Sequence, residues 1–123
     1  MNTFTGSLTI TQIDVGGRTW RLESNIQYGL IQAPAGFTTD GATVPRRLRF
    51  LLPRWGSYSR AAVIHDVLCD SLAKGSPHSL APTWKSAAVL FREMMIAEGT
   101  GTALRTAMFA IVYAWAVWRD LNR

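Results

Sequence analysis

"GFTTDGATVP", residues 36–45, is where the chain changes its hydrophobic period. Two glycines, a carboxylate and a proline within ten residues mark a loop. Pro45 suits the first position of a helix, where its missing N–H has no intrahelical partner to lose. Upstream of this loop apolar residues recur every second position. Downstream they recur at three and four. The two periods predict strands before the loop and helices after it, an α+β fold.

The upstream segment carries three strand candidates. "SLTITQIDV" (7–15) alternates Leu8 and Ile10 against threonine, and Gly16-Gly17 offers the positive φ angles of a tight hairpin turn. "RTWRLES" (18–24) follows with Trp20 and Leu22 on one face, and "IQYGLIQAP" (26–34) sets Ile26, Tyr28 and Leu30 together. These predict an antiparallel hairpin extended to a three-strand meander. Its apolar face needs a cover.

Downstream, the pattern predicts a bundle of three to four helices as that cover. "PRRLRFLL" (45–52) makes a short helix ended by Pro53. "RAAVIHDVLCDSLAK" (60–74) takes Ser57 or Ser59 as its cap and stops at Gly75. "TWKSAAVLFREMMIAE" (83–98) opens at Pro82 and ends at Gly99, and "TALRTAMFAIVYAWAVWRDLNR" (102–123) follows Gly101. One domain over residues 1–123 is expected: strands to 36, the motif loop at 37–45, helices from 45 onward.

Composition narrows the function classes. The chain is 48% hydrophobic and 17% charged, which is globular rather than disordered. A single cysteine, Cys69, excludes an internal disulfide framework and is compatible with a reducing cytoplasm or a particle assembled there. The first ten residues show no basic region followed by an apolar core, so no secretory signal is expected. Net charge is +5, with eleven arginines among thirteen basic residues. The densest cluster is Arg46, Arg47, Arg49 and Arg54, which reads either as a solvated helix face or as a surface for an anionic or acidic partner. No zinc-finger spacing, ribonucleoprotein motif or basic heptad region is present, so no specific nucleic-acid partner is expected.

The last helix has an uncharged run of 13 residues, Thr106 to Trp118, between Arg105 and Arg119. A spanning helix needs about 20 residues. The run is read as buried core, as packing for a partner through Trp115 and Trp118, or as contact with a membrane interface without spanning it.

The residues with chemical potential are Asp40 in the loop and "AAVIHDVLCD" (61–70) on a helix. His65 shares a face with Ala61, Ala62, Leu68 and Cys69, and Asp66 shares one with Asp70. Like charges at i,i+4 destabilise a helix by a few tenths of a kcal/mol. An arginine such as Arg60 can compensate, or a divalent cation. Calcium takes six to eight oxygens, so Asp66 and Asp70 with carbonyls and Asp40 of the loop are candidate ligands for it. A tetrahedral zinc site lacks its second pair. His65 is a candidate general base acting on water, with Asp40 the candidate to orient its ring. The alternative needs no chemistry: Asp40, Gly41, His65 and Asp66 form a structural clasp between loop and helix.

These same stretches, "APAGFTTDGATVPR", "AAVIHDVLC" and "AAVLFREMM", resemble the family called domain of unknown function 1353, common in tailed phages and prophages, over about residues 30–112. That family's pattern is a Gly-Phe-x-Thr-Asp-Gly-Ala-Ser-Val-Pro loop, a His-Asp-x-Leu-Tyr helix and an Ala-Asp-x-x-Phe-x-x-x-Met helix. The pattern in turn is similar to small prokaryotic phospholipases A2, in which a His-Asp pair activates water and holds calcium while a distant Asp orients the His. That similarity implies His65 as base and Asp66 as calcium ligand. The chain departs from the pattern at Ala88, which aligns with the family's second-helix Asp, and at Cys69, which replaces its Tyr. The resemblance therefore implies the scaffold more strongly than the activity. The expected function is binding, as a phage or prophage protein of virion or tail, made in the host cytoplasm and engaging phage or host proteins in a larger assembly. The alternative is an ester or lipid hydrolase weakened by Ala88.

Overall fold

The computed structural model describes residues 3–13, 19–39 and 58–122. The chain order is β1 (Phe4–Thr5), β2 (Ile10–Gln12), β3 (Trp20–Leu22), β4 (Ile26–Tyr28), β5 (Ile31–Ala33), β6 (Thr38–Thr39), α1 (Ser59–Ala73), α2 (Trp84–Glu98) and α3 (Thr102–Leu121). The α+β class holds. Instead of one meander there are two three-stranded antiparallel sheets, ordered β1-β4-β5 and β2-β3-β6. The expected β2–β3 pairing is present, with Ile10 opposite Leu22 and Gln12 opposite Trp20. Its turn, with Gly16 and Gly17, lies outside the described residues.

The third strand candidate is corrected. "IQYGLIQAP" folds back on itself, with Tyr28 opposite Ile31 and Ile26 opposite Ala33. Gly29 takes a φ of +59°, a left-handed conformation that a side chain would resist, and so turns the chain in two residues. Leu30 is therefore not beside Ile26 and Tyr28 but at the turn tip, 81% exposed. Alternation survives within each arm: Ile26, Tyr28, Ile31 and Ala33 are buried while Gln27 and Gln32 face solvent.

Helix α1 covers β4 and β5, and α2 packs between α1 and α3. The core fills this junction with Ile26, Tyr28, Ile31, Ile64, Leu68, Phe91, Met94, Met95 and Met108, among others. The proposed helix 45–52 lies outside the described residues, so three helices are seen among those described.

Helix ends explain the packing order. Thr83 caps α2 in a reciprocal box with Ser86, and Gly99 closes it at φ +88°. The cap of α1 differs from expectation. Ser57 lies outside the described residues, and Ser59 is already the first helical residue behind Tyr58. The orphan N–H groups of α1 are met from α2 instead. Glu98 Oε2 accepts from Arg60 N and Arg60 Nε at 3.0 and 3.1 Å, and Oε1 accepts from Ala61 N at 2.9 Å. The same device recurs one helix later: Asp120 of α3 accepts from Trp84 N and Lys85 N, both at 3.0 Å. A carboxylate at a helix N-terminus is stabilised by the free N–H groups and the helix dipole. Arg60 also lays its guanidinium over Phe4, 4.8 Å from the ring centre, which ties β1 to this junction.

Candidate functional site

The site begins with the register of α1. His65 lies at the middle of the helix and points into its junction with α2. The apolar neighbours Ala61, Ala62, Ile64 and Leu68 are all buried, and so is His65, at 1% exposure. Its ring stacks on Phe91 of α2, with centroids 4.8 Å apart and planes 22° from parallel. One turn later on the same helix, Cys69 Sγ lies 3.6 Å from Nε2 and 3.9 Å from Nδ1. Burial pushes the imidazole down to about 3, so the ring is neutral through the physiological range. Among the described residues no carboxylate bonds to it.

Ala88 stands one turn before Phe91 on α2 and is fully buried. The position that the resemblance assigns to an orienting aspartate is a methyl group in a packed junction. Cys69 is not activated either. Burial pushes its thiol far up, the nearby Asp66 charge adds to this, and Arg119 offsets part of it. The pair is thus a neutral imidazole beside a protonated thiol, the opposite of a nucleophile–base couple.

Asp66 points elsewhere. The Thr39 hydroxyl donates to Asp66 Oδ2, joining the end of β6 to α1. Thr39 is buried at 5% exposure and Asp66 is half-buried, so this charge-assisted bond forms away from bulk water. Asp70, one turn on, turns outward to Lys74 at 2.9 Å. The two carboxylates are therefore engaged separately. Among the described residues no three His, Cys, Asp or Glu side chains come together as a metal-binding group. Asp40 and Gly41, expected in the site, lie outside the described residues directly after Thr39. Arg46, Arg47, Arg49 and Arg54 also lie outside them.

The aromatic candidates separate. Trp115 is half-buried, meeting Trp84 edge to face at 5.4 Å. Arg119 lies over both indoles, 4.3 Å from Trp84 and 5.4 Å from Trp115. Trp118 is 56% exposed. No described helix is long and apolar enough to cross a membrane. Sequence reasoning missed Thr39, Glu98 and Asp120. Thr39 adjoins the Asp-Gly of the loop, and this adjacency is the one signal that pointed to it.

Comparison with known proteins follows the same residues. The model of the family described as "Protein of unknown function (DUF1353)" matches residues 18–112. A curated relative, "Uncharacterized protein y4iH" of Sinorhizobium fredii (strain NBRC 101917 / NGR234), is 31% identical over 121 residues. The match covers 93% of this chain and 47% of the relative, so the chain spans about half the relative's length. No solved structure matches the chain.

Proposed function

We propose, for a chain that belongs to the DUF1353 family, a role in binding rather than catalysis, as a phage- or prophage-encoded component of a larger assembly such as a virion or its tail. The state of His65 carries this reading. A general base must take up a proton near neutral pH and reach its substrate. This imidazole is buried, neutral and stacked on Phe91, and a buried alanine occupies position 88, one turn before Phe91 on α2.

The motif residues then act as a clasp. Thr39 bonded to Asp66 supports this role for Asp40, Gly41, His65 and Asp66, because the bond holds the start of the motif loop against α1. Partner contact is assigned to Trp118, exposed on α3, with Arg46, Arg47, Arg49 and Arg54 as the sequence's candidate for an acidic partner. Trp and Arg dominate interface energetics because each combines large contact area with directional bonds. On this reading the protein is made in the host cytoplasm and taken into the particle.

Two measurements test the proposal together. Pure protein is incubated with anionic phospholipid vesicles, with calcium or with chelator, beside a His65→Gln variant. No turnover above buffer is expected in any arm. Particles from the encoding phage or prophage are then banded on a density gradient, and the chain is expected in the particle fraction. Calcium-dependent hydrolysis that disappears in the variant would overturn the binding role and install the hydrolase in its place.

A further inference from the structure

The surface of α3 departs from the rule for an outer helix. Such a helix normally carries its charges on the side away from the core. The charged residues of α3 are Arg105, Arg119 and Asp120, and all three turn back onto their own fold. Arg105 donates to the Thr100 carbonyl at 3.4 Å, Arg119 lies on Trp84 and Trp115, and Asp120 caps α2. The face left to solvent contains Ala103, Ala107, Ala110, Tyr113, Ala114, Trp118 and Leu121, with Val117 half-buried among them. It runs about 27 Å along the helix without a charge.

The spacing on this face has an order of its own. Ala103, Ala107, Ala110, Ala114, Val117 and Leu121 succeed one another at alternating steps of four and three residues. That alternation is a heptad seam, the pattern by which one helix receives knobs from another. A second seam on α3, through Met108, Val112 and Ala116, is already buried within the fold. The residues of the free seam are graded in size, small at the N-terminal end and large at the C-terminal end. Antiparallel pairing about a two-fold axis at residue 112 sets Ala103 against Leu121, Ala107 against Val117 and Ala110 against Ala114. Every layer then joins a small side chain to a larger one, or two small ones at the centre. The same axis brings the two Tyr113 rings together and lays each Trp118 beside the N-terminal half of the opposite helix.

We propose that this face is the contact between two copies of the chain, paired antiparallel through α3. Area supports a second copy. Leu121 is 79% exposed and Trp118 56%. With Tyr113 and the alanines the patch comes to on the order of 600 Å², at the upper limit of what a monomer leaves bare. It approaches the roughly 800 Å² per partner of a stable pair, at the small end of specific interfaces, so a weak, concentration-dependent dimer is expected. The proposal shares Trp118 with the binding role argued above and makes a second copy of the chain the partner at that residue.

Sedimentation velocity of the full chain over a dilution series is the test, beside Ala110→Glu. Ala110 is exposed in the single copy, so the variant should melt like the wild type while remaining a monomer at every concentration. Mixing Ala110→Glu with Ala114→Lys should restore the dimer, because residue 110 faces residue 114 only in the antiparallel pair. A wild type that stays monomeric throughout overturns the proposal. So does a dimer indifferent to Ala110→Glu. A monomer that floats with anionic vesicles through this face would assign the face to a lipid surface instead. A dimer that the mixed variants fail to restore would refute the antiparallel arrangement.

Discussion

Acid should expose the buried His65 as a defined loss of stability. The ring ionises near 6.5 when free and at about 3 in the fold, because burial opposes its charge. Between those limits the unfolded chain holds a proton that the native chain refuses. Stability therefore rises with pH across this window and falls as pH drops from about 6.5 toward 3, by up to roughly 1.4 kcal/mol per unit. From pH 7 to pH 4.5 the linkage amounts to about 2.5 kcal/mol, a large share of the 5–15 kcal/mol typical of a domain. Carboxylates also titrate in this range, so the wild type is compared with His65→Gln, which keeps a polar side chain of similar size and cannot ionise. Urea unfolding at pH 7.0, 6.0, 5.0 and 4.5, all about one denaturant series each, gives the difference directly. The gap between the two proteins should shift by about 2.5 kcal/mol in favour of the variant as pH falls. Parallel curves would refute the reasoning, as would an imidazole resonance that titrates near pH 6 in the folded protein.

Other perturbations test the contacts that position the site. Thr39→Val removes the donor to Asp66 while keeping the shape, and should cost about 1–3 kcal/mol in urea unfolding through the lost charge-assisted bond to a half-buried carboxylate; a loss below about 0.5 kcal/mol would remove the clasp from the account. Glu98→Gln keeps one acceptor oxygen, sets an NH2 donor in place of the other and loses the charge against Arg60 and the start of α1, with an expected cost of about 1–3 kcal/mol and faster amide exchange at Arg60 and Ala61. Ala88→Asp places a carboxylate in the closed α1–α2 junction and should destabilise by about 3 kcal/mol or more while raising the His65 ionisation seen by NMR. A stable variant with His65 unmoved would mean that Ala88 and His65 do not share one environment. Gly6→Ala meets both a φ of +97° and the Asn25 carbonyl oxygen 2.5 Å from the added carbon, and a melt unchanged from wild type would contradict that geometry.

The helices were legible because their signals are local. Pro82, Gly99 and the apolar spacing of "SAAVLFREMM" mark the extent of α2 from nearby residues alone, although Asp120 also closes its first turn. The hairpin inside "IQYGLIQAP" was missed because Ile26, Tyr28 and Leu30 satisfy a strand's alternation as well as a turn does. Only Gly29 distinguishes the two, and a lone glycine is a weak sign. Of the candidate site, the placement of His65 and Asp66 on one helix was legible, while the partners each side chain meets were not. His65 beside Asp66 suggests a shared function, yet neighbours on a helix point about 100° apart, one here toward Phe91 and the other toward Thr39. Glu98 and Asp120 gave no signal, since a carboxylate that caps another helix looks in sequence like any surface acid.

Those two carboxylates also set a direction for folding. The chain is synthesised from α1 to α3, but its helix starts are completed in reverse. The side chain that closes the first turn of α1 lies 38 residues downstream in the last turn of α2, and the one that closes α2 lies 36 residues downstream in the last turn of α3. Among the described residues α1 has no side-chain cap at its own start, so a nascent α1 emerging alone gains little from forming before α2 supplies its acceptor. Late-arriving sequence thereby governs early-arriving structure. Loss of Asp120 should accordingly loosen not only α3 but the start of α2, and through α2's hold on Glu98 the segment that carries His65.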